Sequence, residues 1–134
     1  MTAVRIPPGL QWSYLNIMGD RVAHAVLDLP SGRLTLSDPM SAYDLVAPGP
    51  GGVTYSLGLY VPDVDAGVER AVAAGARLRE PPATFVSGDR FASLVDPFGV
   101  RWSVMTRVED LSPEESGARV ARWAEELAKQ SQKP

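Results

Sequence analysis

Arg90 and Arg101 are the side chains best equipped to hold a ligand, because a forked guanidinium donates two parallel hydrogen bonds to a carboxylate or phosphate. Near them in the pattern stand Ser56, Tyr60 and Ser103, whose hydroxyls both donate and accept, and Met105, a polarizable apolar surface. Tyr14 shares a strand face with Trp12, and such aromatics suit stacking on a flat molecule as well as covering an interface. The competing reading for both arginines is an ion pair with Asp89, Asp96 or another acid at the rim of a sheet. His24 is the sole histidine, the side chain whose ordinary titration falls near neutrality. A single imidazole with scattered carboxylates does not fix a divalent ion, and on a strand beneath a helix layer it reads as a packing residue before a base. There are no cysteines, which removes disulfides, thiolate zinc sites and cysteine nucleophiles together. No Ser-His-Asp order or nucleophile elbow occurs, and the glycines of Pro48-Gly49-Pro50-Gly51-Gly52 lie between strands, where a phosphate loop would have to open a helix.

The chain as a whole narrows the partners. Its 134 residues make one domain, and a net charge of -3, from 13 basic and 16 acidic residues without a basic block, argues against nucleic acid. Apolar runs are short and broken by Gly, Pro or charge, and MTAVRIPPGLQ has no apolar leader, so the sequence reads as a cytoplasmic domain with no membrane partner.

Periodicity gives the elements that position these residues. Val53 to Val61 alternates as a strand, Asp63 caps a helix over 64–74 whose Val64, Val68, Ala71 and Val72 form one stripe, and Gly75 ends it. Arg77-Leu78-Arg79 reads as a short strand stopped by Pro81-Pro82. Arg90 to Val95 and Arg101 to Val108 form a hairpin across Asp96-Pro97-Phe98-Gly99. The order is βαβββ. Gly19-Asp20-Arg21-Val22-Ala23-His24-Ala25-Val26 matches Gly88-Asp89-Arg90-Phe91-Ala92-Ser93-Leu94-Val95, with Gly, Asp, Arg, Ala and Val identical, so the chain holds an internal repeat. Only 18 residues precede Gly19, so the first copy lacks a βα unit and reads βββ: Trp12 to Met18, Arg21 to Leu29 and Arg33 to Ser37.

If Leu57, Leu59 and Val61 face the helix, alternation places Phe91, Val95, Trp102 and Val104 beside them, and by the repeat also Val22, His24 and Val26. The opposite face then carries Ser56, Gly58, Tyr60, Arg90, Ala92, Leu94, Arg101, Ser103 and Met105, a mixture of small, polar and cationic groups that suits a partly wet cavity.

The tandem modules, the phrase YVPDVDAGVERAVAAGARL and the closing GDRFASLVDPFGVRWSV resemble the vicinal-oxygen-chelate superfamily, in the branch of small glyoxalase/bleomycin-resistance-like proteins with a G-D-R hairpin. The resemblance covers about Val22 to Val108. It implies an α+β fold in which two βαβββ modules, the first incomplete, curl a mixed sheet into a cup, here with a C-terminal helix added. The domain would run over 1–110, as an incomplete module 1–47, a linker 48–52 and a complete module 53–110, with 111–134 forming the helix and tail. Metal-dependent members place a histidine on the first strand of the second module and a glutamate on its last strand; these map onto Gly58 and Ser103, neither of which can ligate a metal. The resemblance therefore implies a metal-free, cofactor-free protein binding a small organic ligand, an antibiotic or a metabolite, through Tyr14, Ser56, Tyr60, Arg90, Arg101, Ser103 and Met105. A metal-dependent lyase or isomerase and a regulatory, partner-binding domain are the alternatives, and catalysis stays open.

Ser112-Pro113-Glu114-Glu115 reads as a capping box that opens a helix to about Lys129. Its Val120, Trp123 and Leu127 stripe has no other evident use, so the sequence assigns it to the uncovered outer face of the first module, in its own subunit or exchanged across a homodimer.

Overall fold

A computed structural model describes residues 11–29 and 32–131, with side chains from residue 19 onward. The chain divides into two compact units, 1–47 and 48–134.

In the first unit β1 (Gln11–Met18), β2 (Arg21–Leu29) and β3 (Gly32–Leu36) form an antiparallel sheet in the order β1-β2-β3. Met18 pairs with Arg21, so two residues make the first turn, and Gly19 takes the positive φ of +64° that such a turn demands. Asp38 ties the end of this sheet to β2, accepting from the Val22 N–H at 2.6 Å and donating its own N–H to the Val22 carbonyl at 2.9 Å. Ala25 is fully buried, whereas His24 beside it on β2 is exposed.

The second unit holds β4 (Ser56–Tyr60), α1 (Val64–Ala73), β5 (Arg77–Thr84), β6 (Asp89–Val95), β7 (Arg101–Arg107) and α2 (Pro113–Gln130). Its sheet runs β4-β7-β6-β5, with β4 parallel to β7 and the other pairs antiparallel. Asp63 caps α1 by accepting from the Ala66 N–H at 3.1 Å. Val64 and Val68 press onto Ala92, Leu94 and Val104 of the sheet, flanked by Val61, Ala71, Ala76 and Trp102. This is the hydrophobic core, and each buried branched side chain in it is worth about 1.5–3 kcal/mol over exposure.

Two expectations need correction. The β5 strand runs through Pro81-Pro82 and does not stop before them. It is an edge strand, where a missing N–H costs no ladder bond, and irregularities on both sides of Glu80 absorb the prolines. The second concerns β6. Asp96 donates to the Val100 carbonyl at 2.9 Å, leaving three residues at the tip with Gly99 at φ +91°. Val95 therefore stands opposite Arg101, Leu94 opposite Trp102 and Ala92 opposite Val104. Arg90, Ala92 and Leu94 face the helix, and Phe91 and Val95 share the other face with Arg101, Ser103 and Met105.

Helix α2 also departs from expectation. Ser112 caps it, accepting from the Glu115 N–H at 3.2 Å, but the Glu115 carboxylate turns to Arg119 Nε at 2.9 Å and does not complete the box. The helix is anchored within its own unit. Trp123 meets Phe85 edge to face with centroids 5.0 Å apart, Ser116 donates to the Ser87 carbonyl at 3.0 Å, and Arg119 forks onto Glu109 at 2.8 and 2.9 Å. Phe85 thus gives Trp123 of the stripe a partner inside the second unit.

Candidate functional site

Gly58 of β4, Ser103 of β7, Ser93 of β6 and Glu80 of β5 are register partners in turn, so they form one row across the whole sheet. On one side of it lies the row Ser56, Arg101, Val95, Arg77, and on the other Tyr60, Met105, Phe91, Ala83. Directly paired residues point the same way, so these rows share the face turned from α1.

Two polar clusters are fixed on it. In the first, Arg101 Nη1 donates to Ser56 Oγ at 3.1 Å and to Ser103 Oγ at 3.4 Å, while Nη2 reaches Glu80 Oε2 at 3.2 Å. The fully buried Ser93 hydroxyl donates to the same Glu80 oxygen at 2.5 Å. That bond, more than the positive charge of Arg101, holds the Glu80 carboxyl below its ordinary range against partial desolvation.

In the second cluster Tyr60 Oη donates to Asp89 Oδ2 at 3.0 Å, and Arg107 Nη2 reaches Tyr60 Oη at 3.4 Å. Arg107 Nε lies 3.0 Å from Asp89 Oδ1. That contact is an ion pair by distance but its N–H is not aimed at the oxygen, so the buried Oδ1 has no aligned donor.

Between the clusters the surface is apolar and open. A Cβ built on Gly58 would meet only the Met105 methyl, at 3.6 Å, with Phe91 next to Met105 across the ladder. Polar ends with an apolar middle suit a flat organic molecule bearing hydrogen-bonding groups.

Of the residues singled out in the sequence, the structure brings Ser56, Tyr60, Arg101, Ser103 and Met105 onto this face. Arg90 is on the other side, where its Nε and Nη2 bond the two carboxylate oxygens of Asp65 on α1 at 2.6 and 2.8 Å. The side chain of Tyr14 lies outside the described residues. Sequence reasoning missed Glu80, Asp89, Phe91, Ser93 and Arg107. Counting the tip of the β6–β7 hairpin as three residues would have found Phe91, Ser93 and, two residues away in parity, Asp89. Glu80 had no such signal, since its place depends on the irregular β5 edge.

The donor set does not fit a divalent ion. Gly58 and Ser103, the positions that the resemblance drawn from the sequence assigns to metal ligands, face each other across the β4–β7 ladder without an imidazole or carboxylate. Glu80 and Asp89 are each committed to a different arginine, and among the described residues no three ligating side chains converge.

The family model described as Glyoxalase/Bleomycin resistance protein/Dioxygenase superfamily matches residues 7–104. The chain belongs to that superfamily. Similar proteins include an uncharacterized protein of Mycobacterium bovis, 29% identical over 105 residues that make up 75% of this chain and 69% of the relative. An uncharacterized protein of Mycobacterium tuberculosis is equally identical, and the match spans 62% of its length. Among solved structures, protein PA1353 from Pseudomonas aeruginosa is 27% identical with a TM-score of 0.51, over 66% of this chain and 65% of that one. TioX from Micromonospora sp. ML1 reaches a TM-score of 0.58 at 23% identity, over 74% and 80% of the two chains. A glyoxalase/bleomycin resistance protein/dioxygenase from Nocardioides gives 0.54 at 22%, over 74% and 70%. The last two likenesses are of fold. The superfamily's α+β architecture, a mixed sheet with a helix on one face, is the one described above, and α2 lies beyond the residues that the family model matches.

Proposed function

We propose that the protein binds a small, flat organic molecule without a metal, on the sheet face that carries Ser56, Gly58, Tyr60, Phe91, Arg101, Ser103 and Met105, and that it sequesters an antibiotic or a metabolite in this way. One observation carries the reading: Gly58 and Ser103, the positions the resemblance gives to metal ligands, pair across the ladder without an imidazole or carboxylate, while the groups around them are fixed donors and acceptors bracketing an apolar centre. A bound molecule would lay its ring over Gly58 and Met105 and exchange hydrogen bonds with the hydroxyls of Ser56, Ser103 and Tyr60. Fold alone does not specify the ligand, which follows from the chemistry of the face.

The test is a titration of the protein against planar antibiotics and aromatic metabolites, followed by tyrosine and tryptophan fluorescence, alongside metal analysis of protein purified without chelator. Saturable binding that Arg101→Ala weakens supports the reading. Stoichiometric zinc, nickel or iron in the purified protein would replace it with a metal-dependent lyase or isomerase.

A further inference from the structure

We infer that the ligand of this face is uncharged overall and offers hydrogen-bond donors as well as acceptors, with Glu80 as the residue that sets this preference. The inference rests on the binding reading above and specifies its ligand class.

An arginine that traps an anion does so with uncompensated charge. Neither arginine at the centre of this face presents any. Arg101 reaches Glu80 through Nη2 and donates to Ser56 and Ser103 through Nη1, and Arg107 faces Asp89. Each cation thus carries its own carboxylate, and an entering anion would meet Glu80 at one end and Asp89 at the other. Of the other cations on β5 among the described residues, Arg79 acts on the Glu80 carboxylate itself, and Arg77 lies two strands from Arg101. By strand spacing that is about 10 Å, where salt screens most of its influence.

What the clusters do leave available is acceptor capacity. Both bonds to Glu80 fall on Oε2, so Oε1 carries none among the described residues, and the Glu80 side chain is half exposed. In the other cluster Asp89 Oδ1 is buried and Oδ2 is taken by Tyr60, so Asp89 contributes negative charge there and no contact. The exposed Glu80 Oε1 beside the apolar centre calls for an N–H or O–H group on the ligand, as an amide, an amine paired with an acid, or a phenol provides.

Two probes of one shape decide it: 4-hydroxybenzamide and 4-hydroxybenzoate, titrated against full-length protein with 13C-methyl methionine and read at the Met105 methyl. The amide is expected to bind wild type more tightly. Glu80→Gln should shift the amide-to-benzoate affinity ratio toward benzoate by about three- to fivefold, the size of an exposed ion-pair effect, and Asp89→Asn should shift it the same way. Circular dichroism checks the fold of both variants, and the wild-type ratio stands without them. A wild-type preference for benzoate, or a ratio unmoved by both substitutions, would overturn the ligand class while leaving binding intact. No response of the Met105 methyl to either probe would overturn the binding reading and this inference with it.

Discussion

Ser93, which has no solvent exposure, donates its hydroxyl hydrogen to Glu80, whose carboxylate stands opposite it because the edge strand breaks register on both sides of that residue. Ionised Glu80 is favoured in the fold by this bond first and by Arg101 next, so its carboxyl is held below the ordinary value of 4.5. A folded-state value below the unfolded one gives stability that is full above the unfolded value and is lost as pH falls through the folded one. We predict that Glu80→Gln removes this acid-side loss, so that wild type and variant differ in thermal midpoint at pH 7 and converge as pH falls through the lowered range of the Glu80 carboxyl. Thermal melts across that range check it, and parallel curves would sink the assignment.

Gly88 opens the repeated Gly-Asp-Arg phrase with a φ of +92°, and a Cβ there would lie 2.7 Å from the Glu109 carbonyl oxygen and 3.1 Å from the Leu111 side chain. The approach is close because the Gly88 carbonyl accepts from the N–H groups of Val108 and Glu109, which lead into α2. Gly88→Ala is predicted to cost about 1–3 kcal/mol, from backbone strain and the forced separation of these segments. Gly117, inside α2, has nothing within 4 Å of where a Cβ would stand, and Gly117→Ala should stabilise the helix by about 0.5–1 kcal/mol. Chemical denaturation of the two variants should give opposite signs.

How much of this was legible varies with how local the cause is. Helix α1 could be read because its start and stop sit in adjacent residues, Asp63 as cap and Gly75 at φ +103°, and its stripe of Val64 and Val68 has a period of its own. Strand β4 was equally clear from alternation. The face of β6 was not, because parity across a hairpin depends on the length of its tip, and the apolar Phe91 and Val95 suggested the wrong side while the helix-facing positions hold Arg90 and the small Ala92. Half of the site followed from strands read singly, as with Tyr60, Ser103 and Met105. The remainder, Glu80 above all, depends on edge-strand irregularities that have no periodic trace.

The Arg90 and Asp65 pair joins β6 to the first turn of α1 and stands apart from the proposed binding face. Arg90 lowers the Asp65 carboxyl from its ordinary value of 3.8, chiefly through its hydrogen bond. Arg90→Gln is therefore expected to lower the thermal midpoint modestly at pH 7, less as pH falls below the Asp65 range, and to leave binding of 4-hydroxybenzamide unchanged. Calorimetry and the Met105 methyl titration measure the two effects separately. A matching loss of affinity would return Arg90 to the site.

Trp123 decides whether α2 is a fixed part of the second unit. An 18-residue helix with no fully buried side chain gains little from packing along its length, and helices of this size are marginal in water without a docking face. Its ring contact is the edge-to-face packing on Phe85; on the same stripe Val120 is half-buried, while Leu127, at 47%, and Trp123 itself, at 41%, remain partly exposed. The Arg119 fork to Glu109 adds orientation more than energy, because both partners reach solvent. Trp123→Ala should thus remove about 0.5–1.5 kcal/mol of aromatic pairing together with the area that Trp123 covers, while Trp123→Phe should keep most of it. The loss should be local. Amide exchange in α2 is expected to accelerate in Trp123→Ala well before exchange in α1 or the β6–β7 hairpin changes, because those elements close on the separate core of Val64, Val68, Leu94 and Val104. Unchanged protection in α2, or an equal loss across the whole unit, would show that the helix is held by something other than the Phe85 contact.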